Sequence, residues 1–310
     1  MISTMSLFIG IDGGGSKTKC ILIDDKLNIL YRADGGPSNP LTVGIEQSAN
    51  LFTNLIKKVS LNFNLNEIDS VVIGIAGAGR KRESDGVRNA IIELLSREKF
   101  TLKNLEIVSD AEIAIEGAFS GKPGAILIAG TGSIIFGKDR IGKLIRAGGN
   151  GRILGDEGSG YSIGRKGLSA VAKQFDGCGK NTLLAKILNS EYGIKNRDDL
   201  IAKVYSEKLD VASIAKNVIA AAEMHDNICM KILNEEIKEL IVHIKSLKKN
   251  LAEKKIKLCL SGGLLSSKNY YSKELKKKIE KTFDDVKLTK ADYSPEIGAA
   301  LLAIKKSATP

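Results

Sequence analysis

FIGIDGGGSKTK, residues 8–19, decides how this chain is read. An apolar run ends in Asp12, three glycines follow (Gly13, Gly14, Gly15), and then come Ser16, Lys17 and Thr18. Glycine turns beside hydroxyls and a lysine suit phosphate, because backbone N–H groups converge on an anion where no Cβ intervenes. Two familiar phosphate loops are excluded. A Walker A loop with its lysine at Lys17 needs glycines at 11 and 16, where Ile11 and Ser16 stand. A dinucleotide fingerprint starting at Gly13 needs glycine or alanine at the position of Thr18. Both motifs also open helices, whereas these glycines run into a second apolar stretch, KCILI (19–23). The pattern predicts a β-hairpin with a polar tip.

The same plan recurs at ILIAGTGSIIFG (126–137), with Gly130, Thr131, Gly132 and Ser133 at its tip. A fingerprint from Gly130 fails at Ile135. Two such tips suit a polyphosphate, with the hydroxyls of Ser16, Thr18 and Thr131 as added donors. Asp12, at its strand end, suits Mg²⁺ held through its waters, because magnesium dehydrates reluctantly and takes few carboxylates. The plainer alternative is two glycine-rich turns that hold nothing.

Around the hairpins, strands alternate with helices. Helical patterns are expected over roughly 45–60 and 84–98, and strands over VVIGIAG (71–77) and LEIVSDA (105–111). Mostly helical sequence runs to about 254, before a strand IKLCLSGG (256–263), another helix and a last strand near 286–290. The terminal SPEIGAALLAIKK predicts a helix capped by Ser294, with Pro295 in its first turn. This alternation predicts an α/β protein of two similar halves. The turn-rich GAFSGKPGA places the break near residue 118, giving domains of 1–118 plus 295–310, and 119–294.

Composition narrows the function classes. At 43% apolar and 27% charged the chain is that of a globular protein, and no apolar run approaches the about 20 residues a membrane span needs. The start MISTMSLFIG lacks the basic region and cleavage site of a signal peptide, so a cytoplasmic location is expected. Cys20, Cys178, Cys229 and Cys259 are scattered without a CxxC pair, against a zinc or disulfide framework. Lys+Arg 47 against Asp+Glu 36 leaves +11, but the lysines cluster in stretches such as SLKKNLAEKKIK (246–257) at helical spacing, as a solvated face would have them. With no Trp and 5% aromatics, platforms for stacking on bases are scarce, and neither a nucleic-acid nor a membrane partner is expected.

The ordered set GIDGGGSKTK, SNP, VSDA, AGTGS, GDEGSGYSIGRKGL, SGGL and SPEIGAALLA resembles the BadF/BadG/BcrA/BcrD-type ATPase family of the actin–hexokinase–Hsp70 superfamily. Within it the chain is most similar to the N-acetylglucosamine kinases and the archaeal broad-specificity hexokinase. The resemblance covers nearly the whole chain. It implies two ribonuclease H-like (actin-like ATPase) domains with a central cleft, ATP and Mg²⁺ as cofactors, and a sugar as substrate. It implies that Gly13, Gly14, Gly15, Ser16, Lys17 and Thr18 bind the terminal phosphates, with Asp12 near the metal. Gly130, Thr131 and Gly132 correspond to the other phosphate turn, and Gly262 and Gly263 to the adenosine site. Asp110 corresponds to the catalytic base, and Asn39, Asp110, Ser133, Gly151, Asp156 and Glu157 to the sugar site.

These residue types suit the chemistry: phosphoryl transfer is mostly positioning and charge stabilisation, with one carboxylate to take the proton of the attacking hydroxyl. Each also has a duller role. Ser109-Asp110-Ala111-Glu112 fits a capping box, Asp156 and Glu157 suit a helix N-terminus, and Asn39 before Pro40 suits a turn. His225 and His243 lie in helical sequence away from every motif, so a histidine base is not expected. Animal-type N-acetylglucosamine kinases carry tryptophan where this chain has Asn150, which favours a broader hexose or amino-sugar specificity. The rival class is an ATPase activator of a CoA-ester reductase or dehydratase, which needs paired cysteines for a shared cluster. A sugar-sensing repressor needs a helix-turn-helix, for which no segment is expected before residue 8. A homodimer is the base-rate expectation.

Overall fold

The computed structural model describes residues 6–75, 81–251 and 253–308. The chain divides into two compact units, Met1–Pro123 with Lys290–Pro310, and Gly124–Thr289. The breaks fall five residues from those placed by the sequence, for a local reason. Asp292 N–H donates to the Ala118 carbonyl, Tyr293 N–H to the Gly117 carbonyl and the Ser120 hydroxyl to the Asp292 carboxylate. These bonds stitch both connecting stretches to the first unit.

The first unit opens with β1 (Leu7–Gly13), β2 (Thr18–Asp24) and β3 (Ile29–Gly35), an antiparallel meander. After α1 (Pro40–Val43) and α2 (Ile45–Val59), β4 (Ile68–Ile75) lies parallel to β1. The expected strand 71–77 thus begins three residues earlier, and residues 76 and 77 lie outside the described residues. Then follow α3 (Lys81–Arg97), β5 (Leu105–Ser109) parallel to β4, and α4 (Asp110–Ala118). The sheet order is β3-β2-β1-β4-β5. Alternation along β1 turns Leu7, Ile9 and Ile11 to one face, where they pack with Phe52 and Ile56 of α2 and Ile91 of α3.

The second unit repeats the plan. Antiparallel β6 (Gly124–Ala129), β7 (Ser133–Lys138) and β8 (Leu144–Gly148) come first. The helices α5 (Gly160–Phe175), α6 (Leu183–Tyr192), α7 (Arg197–Ile201), α8 (Ala215–Glu223) and α9 (Asn227–Leu251) follow. Strand β9 (Ile256–Ser261) lies parallel to β6, and after α10 (Gly263–Ser266) and α11 (Tyr270–Thr282), β10 (Val286–Thr289) lies parallel to β9. The order β10-β9-β6-β7-β8 is the first sheet's order again. Strand β8 had no signal in the sequence, since none of its five residues is fully buried and its pattern lacks a buried apolar alternation.

The chain then returns to the first unit as α12 (Pro295–Ser307), which covers the sheet face opposite α2 and α3. Ala299, Ala300, Leu302 and Ala303 pack there on Phe8, Ile21, Ile23 and Val72. Burying side chains the size of Phe8, Ile21, Ile23, Val72 and Leu302 stabilises by about 1.5–3 kcal/mol each. The approach is close enough to need Gly10: a Cβ there would lie 2.2 Å from the Glu296 carbonyl oxygen. Ser294 occupies the N-cap position but makes no side-chain cap bond, so the fixed φ of Pro295, not the expected hydroxyl cap, starts the helix.

Candidate active site

In the first unit, the turn between β1 and β2 is closed by Gly14 N–H donating to the Lys17 carbonyl at 3.0 Å. The three glycines have different reasons. A Cβ on Gly13 would meet Ser38 Oγ at 2.8 Å and the Phe52 ring at 2.9 Å, so packing behind the turn excludes one. On Gly14 it would meet the Lys17 carbonyl at 2.9 Å. A Cβ on Gly15 would meet nothing within 4 Å beyond its chain neighbours, so the surrounding protein does not account for this glycine. Gly15, Ser16 and Lys17 are exposed. Thr18 is not: it is fully buried, and its hydroxyl donates to the Gly36 carbonyl at 2.8 Å and lies 2.8 Å from Ser38 Oγ. The expected phosphate donor is therefore spent on supporting the turn. Asn39 caps α1, its Oδ1 accepting from Leu41 N–H at 3.0 Å, which leaves its amide N–H groups as the available donors.

Three carboxylates belong to this unit's sheet ends. Asp12 alternates with Phe8 and Gly10, so it shares the face covered by α12. Asp110 is the first residue of α4. Ser109 Oγ accepts from Glu112 N–H at 3.2 Å, so the cap is supplied by the serine, and Asp110 Oδ1 accepts from Ala111 N–H at 2.9 Å. Asp110 keeps an edge open to water while protein crowds it, and this desolvation holds its carboxyl above the usual aspartate range, against the pull of the backbone N–H groups. Asp12 is pushed up to about 6, first by burial, then by the charges of Glu296 and Asp110, with Lys19 and Lys17 opposing. Glu296, in the first turn of α12, is 2% exposed. Its Oε1 lies 3.8 Å from both Lys19 Nζ and Arg32 Nη1, and its Oε2 has no hydrogen-bond partner among the described residues.

In the second unit, Gly130 N–H donates to the Gly132 carbonyl at 2.9 Å. The first N–H groups of α5 clasp the same turn, Gly160 donating to the Gly130 carbonyl at 2.7 Å and Tyr161 to the Thr131 carbonyl at 3.1 Å. Gly130, like Gly15, has open space where a Cβ would stand, whereas a Cβ on Gly132 would be 3.0 Å from Asp156 Oδ2. Asp156 therefore sits against the turn, and its φ of 58° is left-handed backbone held by the loop. Ser133 is buried and its hydroxyl donates to the Glu157 carbonyl, so it anchors the loop and does not present its hydroxyl outward. Gly151, at φ 85°, opens this loop, taking bonds from Leu154 and Gly155 N–H on its carbonyl. Gly262, at φ 90°, must be glycine because a Cβ would lie 2.3 Å from the Ala129 carbonyl, which seats α10 against the end of β6. Gly263 is exposed with open space around it.

The expected residues divide between the two units. Asp12, Gly13–Thr18, Asn39 and Asp110 belong to one, and Gly130–Ser133, Gly151, Asp156, Glu157, Gly262 and Gly263 to the other. Four contributors were not anticipated. His243 is not remote in space: its ring packs against Gly148, and Nε2 lies 3.6 Å from Glu157 Oε2. His225 lies in the turn after α8, not in a helix. Glu236, on the buried stripe of α9, accepts from Gly158 N–H and from Ser162 Oγ at 2.9 Å, and pairs with Lys166 at 2.8 Å. Tyr271 donates to the Gly158 carbonyl at 2.8 Å. A glutamate standing where the apolar repeat of α9 calls for leucine was the available signal. Glu296, fourth, was hidden as an ordinary first-turn acid.

Two sheets of identical strand order, each led by a glycine-tipped hairpin, define an actin-like ATPase fold. The BadF/BadG/BcrA/BcrD ATPase family profile matches residues 9–303, and the chain belongs to that family. It is 34% identical over 306 residues to the N-acetylmuramic acid/N-acetylglucosamine kinase of Clostridium acetobutylicum, covering 96% of this chain and 98% of the relative. It is 32% identical over 316 residues to the N-acetyl-D-glucosamine kinase of Dictyostelium discoideum, again 96% and 98%. Among solved structures, a Chromobacterium violaceum protein assigned provisionally as an N-acetylglucosamine kinase superposes with a TM-score of 0.75 at 21% identity, covering 97% of this chain and 99% of that one. At that identity the superposition speaks for the fold.

Proposed function

We propose that this chain transfers the γ-phosphate of ATP, as its Mg²⁺ complex, to a hydroxyl of an amino sugar or related hexose, the 6-hydroxyl first. The observation that carries the reading is Asp110: a water-accessible carboxylate at a strand end, its helix already capped by Ser109, with a raised proton affinity beside Asp12. In this reading Asp110 accepts the proton of the attacking hydroxyl. The turn of Gly13 to Thr18 holds the terminal phosphates through its N–H groups, with Ser16 and Lys17 as side-chain partners and Thr18 as a buried support. Gly130, Thr131 and Gly132 form the other phosphate turn, and Gly262 and Gly263 lie under the adenosine. Asn39, Gly151, Asp156 and Glu157 meet the sugar, with Ser133 holding their loop. The open space at Gly15, Gly130 and Gly263 supports the phosphate and nucleoside assignments, since protein packing explains none of those glycines.

The donor set fits a divalent cation. Asp12 is a carboxylate that burial and the charge of Glu296 make costly to ionise without a cation, and Glu296 Oε2 has no hydrogen-bond partner among the described residues. Among the described residues no three acidic, histidine or cysteine side chains are close enough to bind a metal together, which suits an ion that keeps most of its waters. When bound, Mg²⁺ would neutralise charge on the phosphates.

The relatives' names point to N-acetylated amino sugars, while Asn150 in place of an aromatic wall favours a tolerant acetamido subsite. The rival activator function needs paired thiols. Cys20, Cys229 and Cys259 are buried and Cys178 alone is exposed, which offers no pair. No helix among the described residues is long and apolar enough to cross a membrane. We place the reaction in the cytoplasm and expect a homodimer, the commonest oligomer. A coupled ADP-release assay over about a dozen hexoses and amino sugars, with and without sugar, tests the reading. Release that no sugar stimulates would overturn it.

A further inference from the structure

We propose that Glu296 is a positioning residue of the divalent-cation site, its buried carboxylate accepting a hydrogen bond from a water that the cation carries. The inference deepens the reading above and rests on its nucleotide–metal site. Three observations carry it, the first of which is placement. Gly10 allows the first turn of α12 to lie directly on β1, two residues before Asp12 and on the face to which Asp12 points. Lys19, the strand partner of Asp12 in the β1–β2 ladder, lies 3.8 Å from Glu296 and so links the two acids.

The second is the state of the carboxylate. Glu296 is 2% exposed, yet Oε2 has no hydrogen-bond partner among the described residues. A buried carboxylate oxygen left without a donor is costly, and such groups are nearly always satisfied by protein, water or an ion. Third, the cations nearby do not discharge it. Lys19 Nζ and Arg32 Nη1 stand at 3.8 Å from Oε1, beyond hydrogen-bond range, and both side chains are substantially exposed, at 38% and 59%. A hydrated cation beside Asp12 supplies what Oε2 lacks, because metal-bound waters are strong donors. Outer-sphere carboxylates of this kind orient the ion and raise its affinity.

Mn²⁺, which is visible by electron paramagnetic resonance, is titrated into the full-length protein with ADP present and sugar absent. Relative to wild type, the isosteric Glu296→Gln should weaken Mn²⁺ binding about tenfold while metal-free ADP affinity does not fall, and Glu296→Asp should restore part of it. Lys19→Met should move the other way, tightening Mn²⁺ several-fold, because it removes a positive charge that stands beside both Asp12 and Glu296. Glu296→Gln binding Mn²⁺ within twofold of wild type overturns the proposal. Should that variant not fold, by circular dichroism, Lys19→Met decides, and an unchanged or weaker Mn²⁺ affinity overturns it. A failure of the sugar-kinase reading would show as missing sugar-stimulated ADP release, to which this titration is blind.

Discussion

Gly298 of α12 meets Gly117 of α4 backbone to backbone. A Cβ on Gly298 would lie 2.0 Å from the Ile113 carbonyl and 2.5 Å from Gly117 N. This crossing locks together the helix that begins with Asp110 and the helix that carries Glu296. Gly298→Ala has no flexible side chain to push aside, so it should destabilise by at least about 2–3 kcal/mol. Thermal denaturation checks this, and a loss under 1 kcal/mol would show that the two helices can slide apart.

Asp110→Asn keeps the shape of the side chain and its acceptor for Ala111 N–H but removes the carboxylate that the proposed reaction uses as proton acceptor. Turnover should fall by about 10²-fold or more, with ADP affinity within twofold of wild type. A variant that phosphorylates sugar at near-normal rate would remove Asp110 from the chemistry.

Activity and stability should respond to pH in opposite senses. In the proposed reaction Asp110 must be ionised to accept a proton and Asp12 to attract a cation. kcat/KM should therefore decline as pH falls through about 6, the value to which Asp12 is raised. For folding the sign reverses. A carboxyl raised from 3.8 to about 6 stabilises the folded form fully below 3.8, and that contribution is lost as pH rises through about 6. Asp12→Asn should accordingly stabilise the ligand-free protein at pH 8, by about 1–3 kcal/mol, and by little at pH 4. Denaturant titrations at the two pH values test this, and equal effects at both would refute it.

Gly15→Ala separates a binding role from a packing one. No protein atom lies within 4 Å of the added methyl, so stability should change by less than about 0.5 kcal/mol while the KM for ATP rises several-fold. Gly13→Ala, which strikes Ser38 and Phe52, should instead lower the melting temperature. An alanine at 15 with unaltered ATP kinetics would take the phosphates away from this turn.

Much of this was legible in the sequence because it is local. The two hairpins are written in alternating apolar residues that stop at glycine, and Ser109 spaced three residues from Glu112 gives the cap that leaves Asp110 available. What escaped was set by packing between distant segments. Whether the hydroxyls of Thr18 and Ser133 face outward depends on Gly36 and Glu157, which no spacing rule relates to them. His243 meets Glu157 across 86 residues and Glu296 reaches Lys19 across 277, so only tertiary packing makes them neighbours. Strand β8 is too short and too open to leave a periodic trace.

The placement of α12 also bears on how the molecule is made. Phe8, Ile21, Ile23 and Val72 gain the cover of α12, beyond that of Ile113 on α4, only after the whole second unit has been synthesised. Until then a nascent chain carries an apolar sheet face covered only in part, the kind of surface that chaperones shield. The same delay leaves Glu296 absent while both glycine hairpins are already made, so the face that Asp12 shares lacks its buried second carboxylate until α12 is added.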